Sequence, residues 1–172
     1  MPSKLWYRGP SLDTLHEEYA KHGRVDEVAP VRTTCEIEID APVSTVWELL
    51  SRPAGWASWD PDIHDVTADE PAAVDVEFVW SSGRSRIRSR FAVVHPNREI
   101  TWTGISAGAK AVHRHVLSAP DAERTHVRCE ESMAGTLLGL FYNSDKMHAT
   151  LEAWLAALKT AAETNPSVQP PE

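Results

Sequence analysis

Cysteine is scarce in this chain. Cys35 and Cys129 are the only two in 172 residues, and with no export signal in view both are expected as buried small hydrophobes rather than as a disulfide or metal clip. Long apolar runs are missing as well. Residues 1–6 carry no stretch of signal-peptide length, and the longest run, near residues 134–142, is too short to span a bilayer. A soluble, cytoplasmic protein without membrane insertion is therefore expected. Positive charge is in deficit: 17 Lys and Arg stand against 25 Asp and Glu, a net charge of -8. Without a cationic footprint to displace counterions, nucleic acid is not an expected partner. No internal repeat is visible, and the length suits one domain with a core and a cavity.

What is present divides into three parts. Residues 1–30 are an extension with one short helix: Ser11 is placed to cap it, Leu12, Leu15 and Tyr19 share a stripe, and Gly23 stops it. Such an appendage either docks on its own chain or joins a homodimer. Residues 31–163 form the expected ligand-binding domain, and residues 164–172, with their prolines, read as a disordered tail. Within the domain, Cys35, Ile37 and Ile39 alternate with Glu36, Glu38 and Asp40, the period-two pattern of a strand with one wet face. Ala41-Pro42 ends that strand. Val46, Leu49 and Leu50 then recur at helical spacing, and Pro53 introduces a second short helical turn containing Trp56 and Trp59.

Turn chemistry and cross-strand pairing assign the faces of the strands that follow. With Ser82-Gly83 as a two-residue loop, Glu77 lies opposite Arg88, Asp75 opposite Arg90, Phe78 against Ile87 and Val74 against Phe91, so charge meets charge and apolar meets apolar. Arg86, Arg88 and Arg90 then form a solvated face. A turn centred on Pro96-Asn97 sets Val93 against Ile100 and Phe91 against Trp102. Carrying this parity forward sends Arg114, Arg128 and Glu130 outward, and His113, His115, Leu117, Val127, Cys129, Glu131 and Met133 inward. A three-residue turn at Asp121-Ala122-Glu123 pairs Arg114 with Glu130, His115 with Cys129 and His113 with Glu131; a slip of two would set Arg114 against Arg128. A last helix over residues 137–163 carries the stripe Leu140, Met147, Leu151, Trp154, Leu155 and Leu158, which must lie on the inner face of the sheet.

This order resembles the SRPBCC, or START-like, superfamily, and in particular its polyketide cyclase/dehydrase-type proteins. The resemblance rests on residues 38–50 (Glu-Ile-Asp-Ala-Pro-Val-Ser-Thr-Val-Trp-Glu-Leu-Leu), Trp56 to Pro61, His113-Arg-His115-Val-Leu117, the Glu130-Glu131 to Gly135 segment and the closing helix. It covers residues 31–163, and the 30-residue front extension departs from it. The resemblance implies an α+β helix-grip fold: a curved antiparallel sheet of about seven strands wrapped around a long C-terminal helix, with two short helices after the first strand. It also implies a deep hydrophobic cavity for a small hydrophobic molecule.

Three roles stay open for the inward polar residues. His113 and Glu131, with His115 nearby, have the chemistry of general acids and bases for an enolisable, polyketide-like ligand. They equally suit orienting a ligand, or satisfying each other as an internal polar pair. Trp80, Ser89, Phe91, Trp102, Cys129, Met147 and Leu151 are the expected ligand-binding wall. Whether the chain transforms its ligand, merely carries or senses it, or is an interaction module whose cavity is filled by side chains is not decided by these residues. His113, His115 and Glu131 also offer three metal donors, but no carboxylate follows the second His at short range and the helices do not suit a double-sheet barrel; no metal or other cofactor is expected. Trp56 and Trp59 are expected to plug the end of the sheet.

Overall fold

Alternation in the first strand is realised as β1 (Val31–Ile39), where Val31, Cys35 and Ile39 are buried while Arg32, Thr34, Glu36 and Glu38 are exposed. The structure is a computed structural model that describes residues 6–164; the expected tail beyond Thr164 lies outside them. After β1 come α2 (Val43–Leu50), which buries Val46, Trp47 and Leu50, and a 3₁₀ turn (Pro53–Ser58) that buries Trp56. Strands β2 (Ile63–Ala68), β3 (Glu77–Ser82), β4 (Ser85–His95), β5 (Glu99–Ser106), β6 (Ala109–Ser118) and β7 (Thr125–Ala134) follow. A short α3 (Leu138–Phe141) then leads into α4 (Ser144–Thr164). All strand pairs are antiparallel, in the order β1-β7-β6-β5-β4-β3-β2. The chain is thus an α+β helix-grip fold: α4 lies along β1 and meets α2, closing the inner face. Among the described residues no helix is long and apolar enough to cross a membrane.

Several local expectations are corrected. The β3–β4 loop is Gly83-Arg84 rather than Ser82-Gly83, so Glu77 faces Arg90, Phe78 faces Ser89 and Trp80 faces Ile87. Gly83 has φ +54 and thereby takes the first loop position, where primed hairpin turns need a positive φ. Sliding by two leaves every side chain on its expected face. Asp75 stands outside the strand with φ +66, and Val74 is exposed, so neither makes its expected pair. A bulge at Ala92 replaces the Val93–Ile100 pair by Val94–Ile100 while keeping Phe91 against Trp102. The β6–β7 register is as expected, although the connection runs from Ser118 to Thr125 and is longer than three residues.

α4 begins at Ser144, not near Leu137. Asn143 accepts the backbone N–H of Lys146 at 2.9 Å, an N-cap bond that starts the helix there. Leu140 consequently leaves the stripe and is exposed.

The front segment docks on the outer face of the sheet. Ser11 caps α1 (Leu12–Thr14), accepting the Thr14 N–H at 3.0 Å. A π turn (Leu15–Tyr19) and a 3₁₀ turn (Ala20–His22) continue it to Gly23, whose φ of +64 ends the helix. Leu15 and Ala20 pack with Ala92 and Val112 on the sheet. His16, fully buried, donates from Nε2 to Asp75 at 2.8 Å and accepts at Nδ1 from the Thr103 hydroxyl at 2.9 Å. The outer face is therefore wet only in part. Arg86 and Arg88 are exposed, whereas Arg90 lies 3.7 Å from Glu17, and Arg114 is held by Glu99 and Glu130 at 2.9 Å each.

Candidate functional site at the inner face

Strand parity brings His113, His115, Cys129 and Glu131 onto the inner face of β6 and β7, with His113 opposite Glu131 and His115 opposite Cys129. His113 Nδ1 lies 3.3 Å from Glu131 Oε2, and the two side chains remain 11% and 12% exposed, so the pair sits where the interior meets the surface. Burial pushes the Glu131 carboxyl up to about 8 and the His113 imidazole down to about 3. At neutral pH the carboxyl therefore keeps its proton and the imidazole is uncharged. A protonated carboxyl beside an uncharged imidazole can give a proton or pass one on.

His115 lies deeper and is fully buried. Its Nε2 accepts the indole N–H of Trp154 at 2.9 Å, which places the imidazole hydrogen on Nδ1, and Nδ1 has no partner. Burial, with the neighbouring His113, holds its pKa well below the ordinary range, and burial holds the Cys129 thiol well above its own. Trp102, His113 and His115 are stacked, with centroids 4.7 Å and 4.8 Å apart along the series.

His113, His115 and Cys129 bring donor atoms within 4.8 Å of one another. Cys129 Sγ is 3.5 Å from each Nε2, a separation that two ligands of one tetrahedral ion could have. The ring orientation does not fit. The imidazoles are inclined by only 18°, so their in-plane lone pairs run side by side instead of converging, and Trp154 already occupies that of His115. Glu131 lies beside the other nitrogen of His113, so it shares no centre with Cys129.

The expected aromatic wall is present, but it is not empty space that it encloses. Trp56 is fully buried, and its ring lies 5.7 Å from Phe78, 5.5 Å from Trp80, 5.2 Å from Trp102 and 5.2 Å from Trp154. Phe78 stacks on Phe91 at 4.4 Å. These are contact distances between rings, and no further ring fits between them. Trp56, expected with Trp59 to plug the end of the sheet, instead fills the cup among these rings, and the deep cavity expected around Trp80, Phe91 and Trp102 is filled there. Ser89, buried, accepts the Trp80 indole N–H at 3.0 Å. Met147 and Leu151 face inward from α4 and are buried.

Two grooves lie along β1. One of about 290 Å³ is on the outer face, where Val25 and Glu27 of the front segment meet the outward Arg32, Thr34 and Glu130 of β1 and β7. The other, about 330 Å³, lies between β1 and α4 and is lined by Cys35, Ile37, His148, Glu152 and Leu155 among others. Sequence reasoning passed over the Trp154–His115 bond and the Cys35–His148 contact, because both join α4 to strands far away in the chain. No period or spacing reports such pairs.

The family described as polyketide cyclase / dehydrase and lipid transport matches residues 30–163. Comparison with curated proteins gives no match. Among solved structures, a START superfamily protein from Mycobacterium smegmatis is similar with a TM-score of 0.66 and 14% identity, over 77% of this chain and 97% of that one. The Zhui aromatase/cyclase from a Streptomyces species gives 0.59 at 19% identity, over 76% and 90%. Norcoclaurine synthase from Thalictrum flavum, in complex with dopamine and hydroxybenzaldehyde, gives 0.62 at 11% identity, over 79% and 88%.

Proposed function

Given that the chain belongs to the polyketide cyclase / dehydrase and lipid transport family, we propose that residues 31–163 bind a small hydrophobic, aromatic or polyketide-like metabolite and that His113 and Glu131 perform acid–base chemistry on it. One observation carries this reading: a carboxyl held in its protonated form stands 3.3 Å from an uncharged imidazole on the inner face, where both side chains keep a small exposure. Glu131 donates its proton to a ligand carbonyl, and His113, oriented by Glu131, relays the proton that an enolising carbon gives up. His115 and Cys129 back the pair and keep water from it, and Trp102 supplies a flat wall. The apolar body of the ligand enters between the sheet and Met147 and Leu151 as the Pro53–Ser58 turn carries Trp56 aside.

Native mass spectrometry of freshly purified protein tests binding through a retained metabolite, and titration with flat phenolic ketones, read by Trp fluorescence, tests it directly. Glu131→Gln and His113→Ala should abolish turnover of such a ligand and weaken its binding. Unchanged binding and turnover in both variants would refute the assignment. A second reading, an interaction module with a permanently filled interior, is favoured by the packing around Trp56; it requires that no such compound binds.

A further inference from the structure

We propose that Cys35 is an activated nucleophile that captures uncharged α,β-unsaturated carbonyl compounds in the groove between β1 and α4. Cys35 Sγ lies 3.2 Å from Nδ1 of His148, and His148 Nε2 lies 3.4 Å from Glu152 Oε1. Thiol, imidazole and carboxylate thus stand in line: the carboxylate holds the hydrogen on Nε2 and leaves the Nδ1 lone pair facing sulfur. The Thr33 hydroxyl is 2.8 Å from the same Nδ1 and donates to it at rest; turning that one hydrogen to the sulfur frees Nδ1 for the thiol proton and favours the thiolate as it forms.

Sequence spacing explains the alignment. Thr33 and Cys35 are two apart on the inward face of β1, and His148 and Glu152 are four apart on one face of α4. Cys35, His148 and Glu152 all line the groove of about 330 Å³. Its walls hold the Glu152 carboxylate with Ile37 and Leu155 and contain no Lys or Arg, the Glu36 carboxylate being turned to Arg128 and His126 on the other face of β1; this lining suits a neutral, partly apolar molecule. Burial keeps the resting sulfur protonated, so the base must act as the bond forms. His148 Nδ1 takes the thiol proton while Sγ bonds to the β-carbon. The alkene electron pair moves to the carbonyl oxygen, and the imidazolium returns the proton to the α-carbon. The product is a thioether; nothing leaves and no oxidant is needed. This proposal does not rest on the Glu131 site.

The probe is N-ethylmaleimide on the full chain, followed by intact mass and peptide mapping. Cys129 is fully buried and serves as the internal comparison. Cys35 should be labelled at least about tenfold faster than Cys129, and His148→Ala should slow Cys35 by about a hundredfold, the lower edge of what a positioned base supplies. Added imidazole should restore part of the rate, which a packing role would not allow. If His148→Ala fails to fold, Glu152→Gln on the surface is the second variant and should slow Cys35 by a smaller factor. Labelling of Cys129 first, equal rates in wild type and variants, or a slowing that imidazole does not relieve would each overturn the proposal.

Discussion

Trp154 Nε1 and His115 Nε2 are hydrogen-bonded at 2.9 Å across the interface of α4 with the sheet. The bond ties the closing helix to the inner face and fixes the tautomer of a buried ring. Trp154→Phe keeps an aromatic body but leaves His115 with neither nitrogen paired to the helix. The expected cost is about 1–3 kcal/mol, the desolvation of a buried polar group without a partner. His115→Phe in the same background removes that group and keeps a ring over Trp102. The double variant should therefore be more stable than Trp154→Phe alone, as measured by chemical denaturation in a double-mutant cycle.

Glu131 makes stability fall on the alkaline side. Its folded value of about 8 lies above the ordinary 4.5, so between these values the unfolded chain has lost a proton that the folded chain keeps. Stability from this group is complete below pH 4.5 and is lost as the pH rises through about 8. Glu131→Gln, which resembles the protonated acid, should flatten the stability profile over that range in thermal melts at constant ionic strength. A profile as steep as that of wild type would show that the carboxyl is ionised in the folded state.

Strand parity was legible because cross-strand pairs fall within a few residues of turns that the sequence marks, and a slip by two, as in β3–β4, does not change which face a side chain occupies. His113 and Glu131 were therefore placed correctly even though Asp75 and Val74 were not. β2 was not legible. Asp65 has φ 51 and the register shifts between His64 and Thr67, so alternation is interrupted in a six-residue edge strand. Nor was the filling of the cup, since the position of Trp56 depends on how a 3₁₀ turn folds over the sheet, a long-range packing outcome to which no periodicity refers.

Docking of the front segment should loosen in acid. Burial lowers the pKa of His16 from the ordinary 6.5, outweighing the raising effect of Asp75, while Arg90 and Lys21 lower it further. Below pH 6.5 a released segment gains a proton that the docked one resists, so docking weakens as the pH falls through that value. Asp75 is shifted below its own ordinary range by His16 and Lys21 and adds a second loss at lower pH. Amide hydrogen exchange over residues 11–23 should speed up, after correction for intrinsic rates, between pH 7 and 5. His16→Gln should remove this pH dependence, and exchange that stays constant in wild type would contradict it.

Trp56 decides between a cup that opens and one that is permanently full. It touches four aromatic side chains and is fully buried, so Trp56→Ala should cost about 3–5 kcal/mol if the ring is part of the core. The space it vacates is lined by apolar rings, and such engineered cavities stay dry and accept small aromatic guests. Indole should then raise the melting temperature of Trp56→Ala and leave wild type unchanged. If the ring is instead a gate that a natural ligand displaces, its removal should cost well under about 3 kcal/mol and tighten the binding of aromatic ketones, because the ligand no longer has to move it. Calorimetric melts with and without indole, set beside ketone titrations of the same variant, separate the two outcomes.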